Sequence, residues 1–184
     1  MNEIMIRGRH MGQVAGAAHE RIEAARKTPA EVLARALERH QTWVGSGWEM
    51  GARADLHGAD LHGAQLTGAI LESADLHKAD LHRAALGEAD LESADLHGAD
   101  LHRADLHAAQ MNWADLHDAD LHGANLSGGS LCDADLRGAD CHGAVFTDAD
   151  LAGADLRGAN LSRALGLTRS QIAAATTDTK TRLP

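Results

Sequence analysis

The chain contains no tyrosine, one phenylalanine and three tryptophans, so aromatics make up 2% of its 184 residues. That excludes an ordinary globular core, in which large rings dominate the buried area. Proline is nearly absent as well, at two residues. Two cysteines, Cys132 and Cys141, are too few for a disulfide framework, and a reducing compartment is the expected setting. No uninterrupted apolar run reaches the roughly 18 residues of a membrane span. Met1 to Arg9 carries no apolar stretch of signal-peptide length, so a cytoplasmic location is expected. Positive charge is scarce over residues 52–164, which hold 7 basic groups against 20 acidic ones. Such a segment repels phosphate backbones, and direct nucleic-acid binding is not expected.

What is present is a repeat. From Ala54 the chain reads Ala-Asp-Leu-x-x with a period of five, and the Leu position recurs from Leu56 to Leu161 in 22 repeats without insertion. Nineteen of these centres are Leu, the others being Met111, Cys141 and Phe146. Ala stands two residues before the centre in every repeat but one, where Gly129 replaces it. A five-residue period smears Leu around every face of a helix and flips it from side to side along a flat strand. It fits a short extended side followed by a corner. Ala and Leu then both point inward, the residue between them and the one after Leu point out, and the next residue makes the turn. Glycine is frequent at that last position, as a turn with positive φ favours.

A second period lies over the first. The outward residues after each centre match at a lag of four repeats in 9 of 18 pairs, and at a lag of five in only 5 of 17. The reading is a square coil of four sides and 20 residues, wound about 5.5 times into a rod of roughly 26 Å at the strand spacing of ~4.8 Å. An all-β solenoid follows, with an axis filled by Leu and walls kept close by Ala. Residues 54–164 closely resemble the pentapeptide repeat family, whose motif is Ala-(Asp/Asn)-Leu-x-x. The resemblance implies a right-handed quadrilateral β-helix.

The organisation expected is an N-terminal segment at 1–27, a capping helix and linker at 28–51, the repeats at 52–164, and a capping helix and tail at 165–184. Open ends of a solenoid expose unpaired edges and need covers. Thr28-Pro29-Ala30-Glu31 reads as a helix start with a capping box. Val32, Leu33, Ala36, Leu37, Trp43 and Val44 form its apolar stripe and Gly45 its stop, with Trp43 and Trp48 expected over the first coil. Thr168-Arg169-Ser170-Gln171 is a second capping box, before Ile172. That short helix would cover the last coil or pair with a second copy, which leaves monomer and homodimer both open. Residues 13–26 suit a further helix, with Val14, Ala17, Ala18, Ile22 and Ala25 on one side, whereas Met1 to Met11 has no pattern.

Folded in fours, the faces differ. The first carries His57, His77, His97 and His117 in a column, then Arg137 and Arg157, beside an Asp column from Asp55 to Asp155. The second carries His62, His82, His102, His122 and His142 beside Asp60 to Asp140. The third reads as nearly neutral, with Thr67, Ala85, Gly87, Asn125, Ser127 and Val145. The fourth carries Ile70, Glu72, Glu92, Asn112, the corner Trp113, Ser130 and Cys132.

The family motif itself accounts for the Asp columns. The His columns depart from it, and three readings stand: stacking that offsets carboxylate repulsion, a pH-responsive surface, and a zinc or nickel ladder. Rungs ~4.8 Å apart in water do not enforce a closed tetrahedron, and no cofactor is expected. Identical His–Asp pairs along a rod are unlike the single constellation of an enzyme site. Cys132 faces out and Cys141 in, which argues against a bond between them. The expected function is therefore a non-catalytic module whose flat faces bind a partner protein. Trp113, Ile70, Glu72 and Glu92 are the candidate contact residues. The resemblance adds an alternative, since some family members are DNA mimics that bind type II topoisomerases and protect them from inhibitors. Those relatives commonly have Phe centres and a dimerising C-terminal helix, and sometimes loops, whereas this chain has the single Phe centre Phe146 and an uninterrupted repeat.

Overall fold

The computed structural model describes residues 29–184. The expected helix over 13–26, the segment Met1 to Met11 and the Thr28 cap lie outside the described residues. From Asp55 onward, each residue at the Asp position pairs in parallel with the residue 20 positions later: Asp55 with Asp75, Asp75 with Asp95, and so on around all four sides. The coil is thus four repeats long. No run of consecutive paired residues develops, because a turn interrupts every side after one bridge.

Each turn is closed by a backbone bond three residues long, such as Ala59 N–H to Leu56 C=O at 3.0 Å. The second of its two central residues has positive φ throughout, as at Gly58 (60°) and Trp113 (56°), which is the type II arrangement. The glycine-rich corners expected from sequence are therefore present. Twelve of the 22 corners nevertheless hold a non-glycine residue in this left-handed region, and stacking between coils outweighs a local cost of ~1 kcal/mol at each.

The Leu centres and the Ala before them fill the axis. From Leu71 to Leu161 the centres are at most 1% exposed, including Met111, Cys141 and Phe146. At Gly129, which stands where the other repeats hold Ala, a methyl would sit 3.5 Å from Met111 Cε and 3.1 Å from the Leu126 carbonyl.

The helix α1 (Pro29–Gly45) ends at its expected stop. Leu33, Ala36 and Leu37 pack against the first coil, beside the half-buried Ala59, Ala64 and Ala69. Two expectations fail here. Val32 is exposed at 44% and Trp48 at 60%, so neither covers the core. Trp48 instead leans on Trp43, with ring centroids 6.2 Å apart. The buried anchor is His40, fully enclosed and stacked on Trp43 at 5.6 Å. It falls on the stripe Leu33–Leu37–His40–Val44, and only its polarity hid it from the apolar pattern.

His40 Nδ1 accepts the Ala54 N–H at 3.0 Å, tying α1 to the first repeat. Burial pushes its pKa below the ordinary 6.5, as does Arg53, while the Glu72 backbone and Asp90 pull the other way. Its Nε2 is buried without a partner of regular hydrogen-bond geometry. A histidine held neutral by the fold stabilises fully above its unfolded pKa, and that contribution is lost as pH falls below about 6.5. The docking of α1 is therefore expected to weaken as pH drops below that value. Trp43 fluorescence will report the change, and His40→Leu will flatten it; identical pH profiles for the two proteins would refute the role given to His40.

At the other end, α2 (Arg169–Ala174) has the expected capping box. Gln171 N–H bonds the Thr168 hydroxyl at 3.2 Å, and Thr168 N–H bonds Gln171 Oε1 at 2.7 Å. Gln171 also donates to the carbonyls of Phe146 and Ala149, seating the helix on the coil beneath. The six-residue helix buries no residue fully, and Leu167 and Ala175 make the contact with the core. The tail was expected to follow the cap, but it rejoins the solenoid: Thr176 pairs with Asp155 and Arg182 with Asn160. The repeat motif is absent there, so periodicity gave no sign of this. Among the described residues, no helix is long and apolar enough to cross a membrane.

Candidate functional site

The turn chemistry places the histidines. In each His repeat the Asp two residues earlier accepts the histidine N–H through Oδ1, at 3.0 Å for His117 and Asp115 and 2.9 Å for His102 and Asp100. The Asp column is thus a column of Asx turns, a structural use that takes one carboxylate oxygen and leaves the other outside the turn. The imidazole, at the first central turn position, projects beside it.

Successive imidazoles repeat at the coil spacing. On the first face the ring centroids of His57, His77, His97 and His117 are 4.8, 5.0 and 4.9 Å apart, with planes tilted by 47–56°. The second face differs. His82, His102 and His122 are stacked nearly parallel, at 13° and 11°, while His62 and His142 close the column edge-on at 73° and 82°. Within that stack Nε2 of His82 and of His102 is buried and unpartnered. His142 Nδ1 lies 3.1 Å from the Ser162 hydroxyl. All nine column histidines thus stand where the sequence placed them.

Below His117 the first column turns to arginine. Arg137 Nε donates to Asp135 Oδ1 at 2.8 Å and Arg157 Nε to Asp155 Oδ1 at 2.9 Å. The Arg137 side-chain hydrogen bonds hold the Asp135 carboxyl below the usual range, and those of Arg157 do the same for Asp155. Where an Asp column meets asparagine, the amide donates up the ladder, as Asn160 Nδ2 does to Asp140 at 2.9 Å.

The third face is not neutral. His107 lies on it, with Nδ1 3.1 Å from Asp105 Oδ1 and Nε2 4.0 Å from Glu88. Gly87, one coil before, leaves the space that this ring fills, since a methyl there would collide with it. The signal was legible, because Asp-Leu-His occurs at 105–107 as in the other columns.

On the fourth face Trp113 is exposed at 57%. Ile70 is half-buried and lines a shallow hollow against α1 with Leu37, Gln41, Gly68 and Ala69. The pairings Ile70–Asp90 and Asp90–Gln110 put it two coils from the Trp113 repeat, so the two residues do not form one patch. Glu72 and Glu92 are half-buried, and burial, with Asp90 and Glu92 nearby, raises the Glu72 carboxyl. Burial likewise raises the thiols of Cys132 and Cys141, the latter fully enclosed, which opposes thiolate reactivity at both. Both cysteines are free.

A rod of four-sided coils in parallel register, with Asx turns at its corners and Leu along its axis, is a pentapeptide solenoid. The chain belongs to the pentapeptide repeats family, whose pattern matches in 8 copies over residues 52–87, 86–123, 114–151 and 124–163. No curated protein matches it. Among solved structures, it is similar to the pentapeptide repeat protein Rfr23 of the cyanobacterium Cyanothece, at 32% identity and a TM-score of 0.44, over 54% of this chain and 64% of that one. A Nostoc pentapeptide repeat protein matches at 39% identity and a TM-score of 0.42, over 52% of this chain and 74% of that one. One from the Arabidopsis thaliana thylakoid lumen matches at 29% identity and a TM-score of 0.40, over 65% and 72%. The chain therefore spans just under two thirds of the Cyanothece protein it matches.

Proposed function

We propose that the chain is a non-catalytic rod that presents rigid acidic and histidine-lined faces to a partner protein. The observation that carries this reading is the solid interior. Leu and Ala fill the axis from Leu71 to Leu161, so side-chain chemistry is confined to repeating surface ladders, whereas a catalytic site is a single constellation in a concave pocket. In this reading the 22 repeats wind right-handed into about 5.5 coils, α1 and α2 cap the ends, and no cofactor is needed. The exposed Leu165 and Leu183, at 59% and 48%, suit a homodimer as well as a monomer. The two free thiols suit a cytoplasmic setting.

Trp113 is the anchor. Its corner neighbours in the adjoining coils are Ser93 and Asp133, short side chains that leave the indole standing clear. A tryptophan in that position supplies the large amphipathic contact typical of a binding hot spot. Trp113→Ala is expected to weaken partner capture about 30-fold, equivalent to ~2 kcal/mol, while leaving the melting temperature unchanged. Quantitative pull-down with wild-type and variant rods tests this, and equal recovery of the same partner would remove Trp113 from the interface.

A further inference from the structure

One rung of the first column differs from the others. His97, His117 and Asp118 each offer a donor atom, and the three atoms lie within 4.8 Å of one another. His117 Nε2 is 3.4 Å from Asp118 Oδ2. The two imidazoles belong to adjacent coils, 4.9 Å apart and tilted by 54°, so their edges diverge instead of sealing against each other as in the His82–His102–His122 stack.

The carboxylate sits at a corner. Asp118 has φ of 56°, a conformation glycine adopts without cost. The corners before and after it in the column are Gly98 and Gly138. A methyl on Gly138 would collide with Asp118 Oδ1, so the absent side chain below is what seats the carboxylate. The same seating recurs at Asp133 over Gly153, but the outward neighbour there is Cys132. The corners following the other eight column histidines are Gly58, Gly63, Lys78, Arg83, Gly98, Arg103, Gly123 and Gly143. Asp118 is therefore the one acidic corner beside a histidine column.

We propose that His97, His117 and Asp118 form a half-open site for a divalent first-row transition ion of the zinc or nickel type, with water completing the shell. Two imidazoles and one carboxylate match the preferences of these ions and not those of magnesium or calcium, which take oxygen. Tetrahedral zinc with bonds of about 2.1 Å holds its donors ~3.4 Å apart. The His117–Asp118 separation already meets that spacing. The His97 ring closes the remainder by rotation, which half-exposed side chains allow. The next rung, Arg137, is engaged by Asp135 and Asp155. An excess of 20 acidic over 7 basic groups along the repeats draws cations to the surface.

This site is independent of the partner-docking reading, and its test shares nothing with the pull-down. Zinc chloride is titrated calorimetrically into the full chain near neutral pH. One ion per chain is expected to bind at micromolar concentration. Asp118→Gly, which restores the commonest corner residue, is expected to weaken binding tenfold or more. His117→Arg, which copies the column at Arg137, is expected to abolish it, and His62→Thr on the second face to leave it unchanged. Unaltered melting of each variant separates loss of a ligand from loss of fold. No heat at micromolar metal overturns the proposal. So does binding that survives Asp118→Gly undiminished, or that falls equally with His62→Thr, because either result spreads the metal over the ladder instead of one rung.

Discussion

Leu101→Asp is expected to cost about 5 kcal/mol, the sum of a lost Leu burial and a carboxylate without partners at the axis. Leu101 is fully enclosed, with Leu81 before it and Leu121 after it in the same register. A domain stable by roughly 5–15 kcal/mol does not absorb such a change easily. The rod distributes it in a particular way, because stability in a stacked repeat is a sum of coil terms and nearest-neighbour terms. Breaking one middle coil therefore severs its contacts in both directions. Denaturant unfolding followed by circular dichroism should show a lower midpoint and a broadened or split transition. Leu101→Met keeps the volume and should cost under ~1.5 kcal/mol. Equal behaviour of the two variants would mean that the axis is not the source of stability.

Gly51→Ala is the second large effect, of about 3 kcal/mol, and it is local. Gly51 has φ of 89°. A methyl on it would run into the Arg39 carbonyl, with Trp43 N at 2.8 Å and Thr42 Cβ at 3.2 Å. The first two are backbone atoms of α1, which cannot yield as a side-chain tip can, so steric overlap adds to the cost of the left-handed conformation. The loss should appear as faster amide exchange and altered Trp43 emission in α1, with the repeats untouched. Gly58→Ala is the control: its φ is 60°, its methyl meets nothing within 4 Å, and it should cost only ~1 kcal/mol. If both substitutions behave alike, the close approach of Gly51 to α1 has no energetic weight.

The repeat was legible in the sequence because its rule is local and recurs without interruption. Ala and Leu go in, Asp turns the chain, and residue 20 positions on meets like with like. Legibility failed where that rule stops. His40 was missed because a buried histidine breaks an apolar pattern while keeping its period. Thr176 and Arg182 pair with the last coil although no Ala-x-Leu marks them, since backbone bonds to an exposed edge demand no particular side chain. The histidine columns were readable as columns, but not their ring tilts, which a residue pattern does not encode. The pairing of Asp118 with His117 rested on the same information: sequence places the two side by side, and only the empty corner at Gly138 shows how the carboxylate is seated.

The 20-residue register has a consequence for how such a chain can change length. Removing or duplicating four consecutive repeats returns every side chain to its own column, so the faces survive and the rod changes by one rise of ~4.8 Å. Removing one repeat preserves the Leu axis equally well, yet it shifts every later residue by a quarter turn. His117 would then line up with Glu72 and Glu92 on the fourth face instead of with His97, and Arg137 and Arg157 would move there with their Asp135 and Asp155 partners. Folding tolerates steps of five residues, whereas the surface pattern tolerates only steps of twenty. Lineages that keep the histidine columns are thereby restricted to whole-coil insertions and deletions.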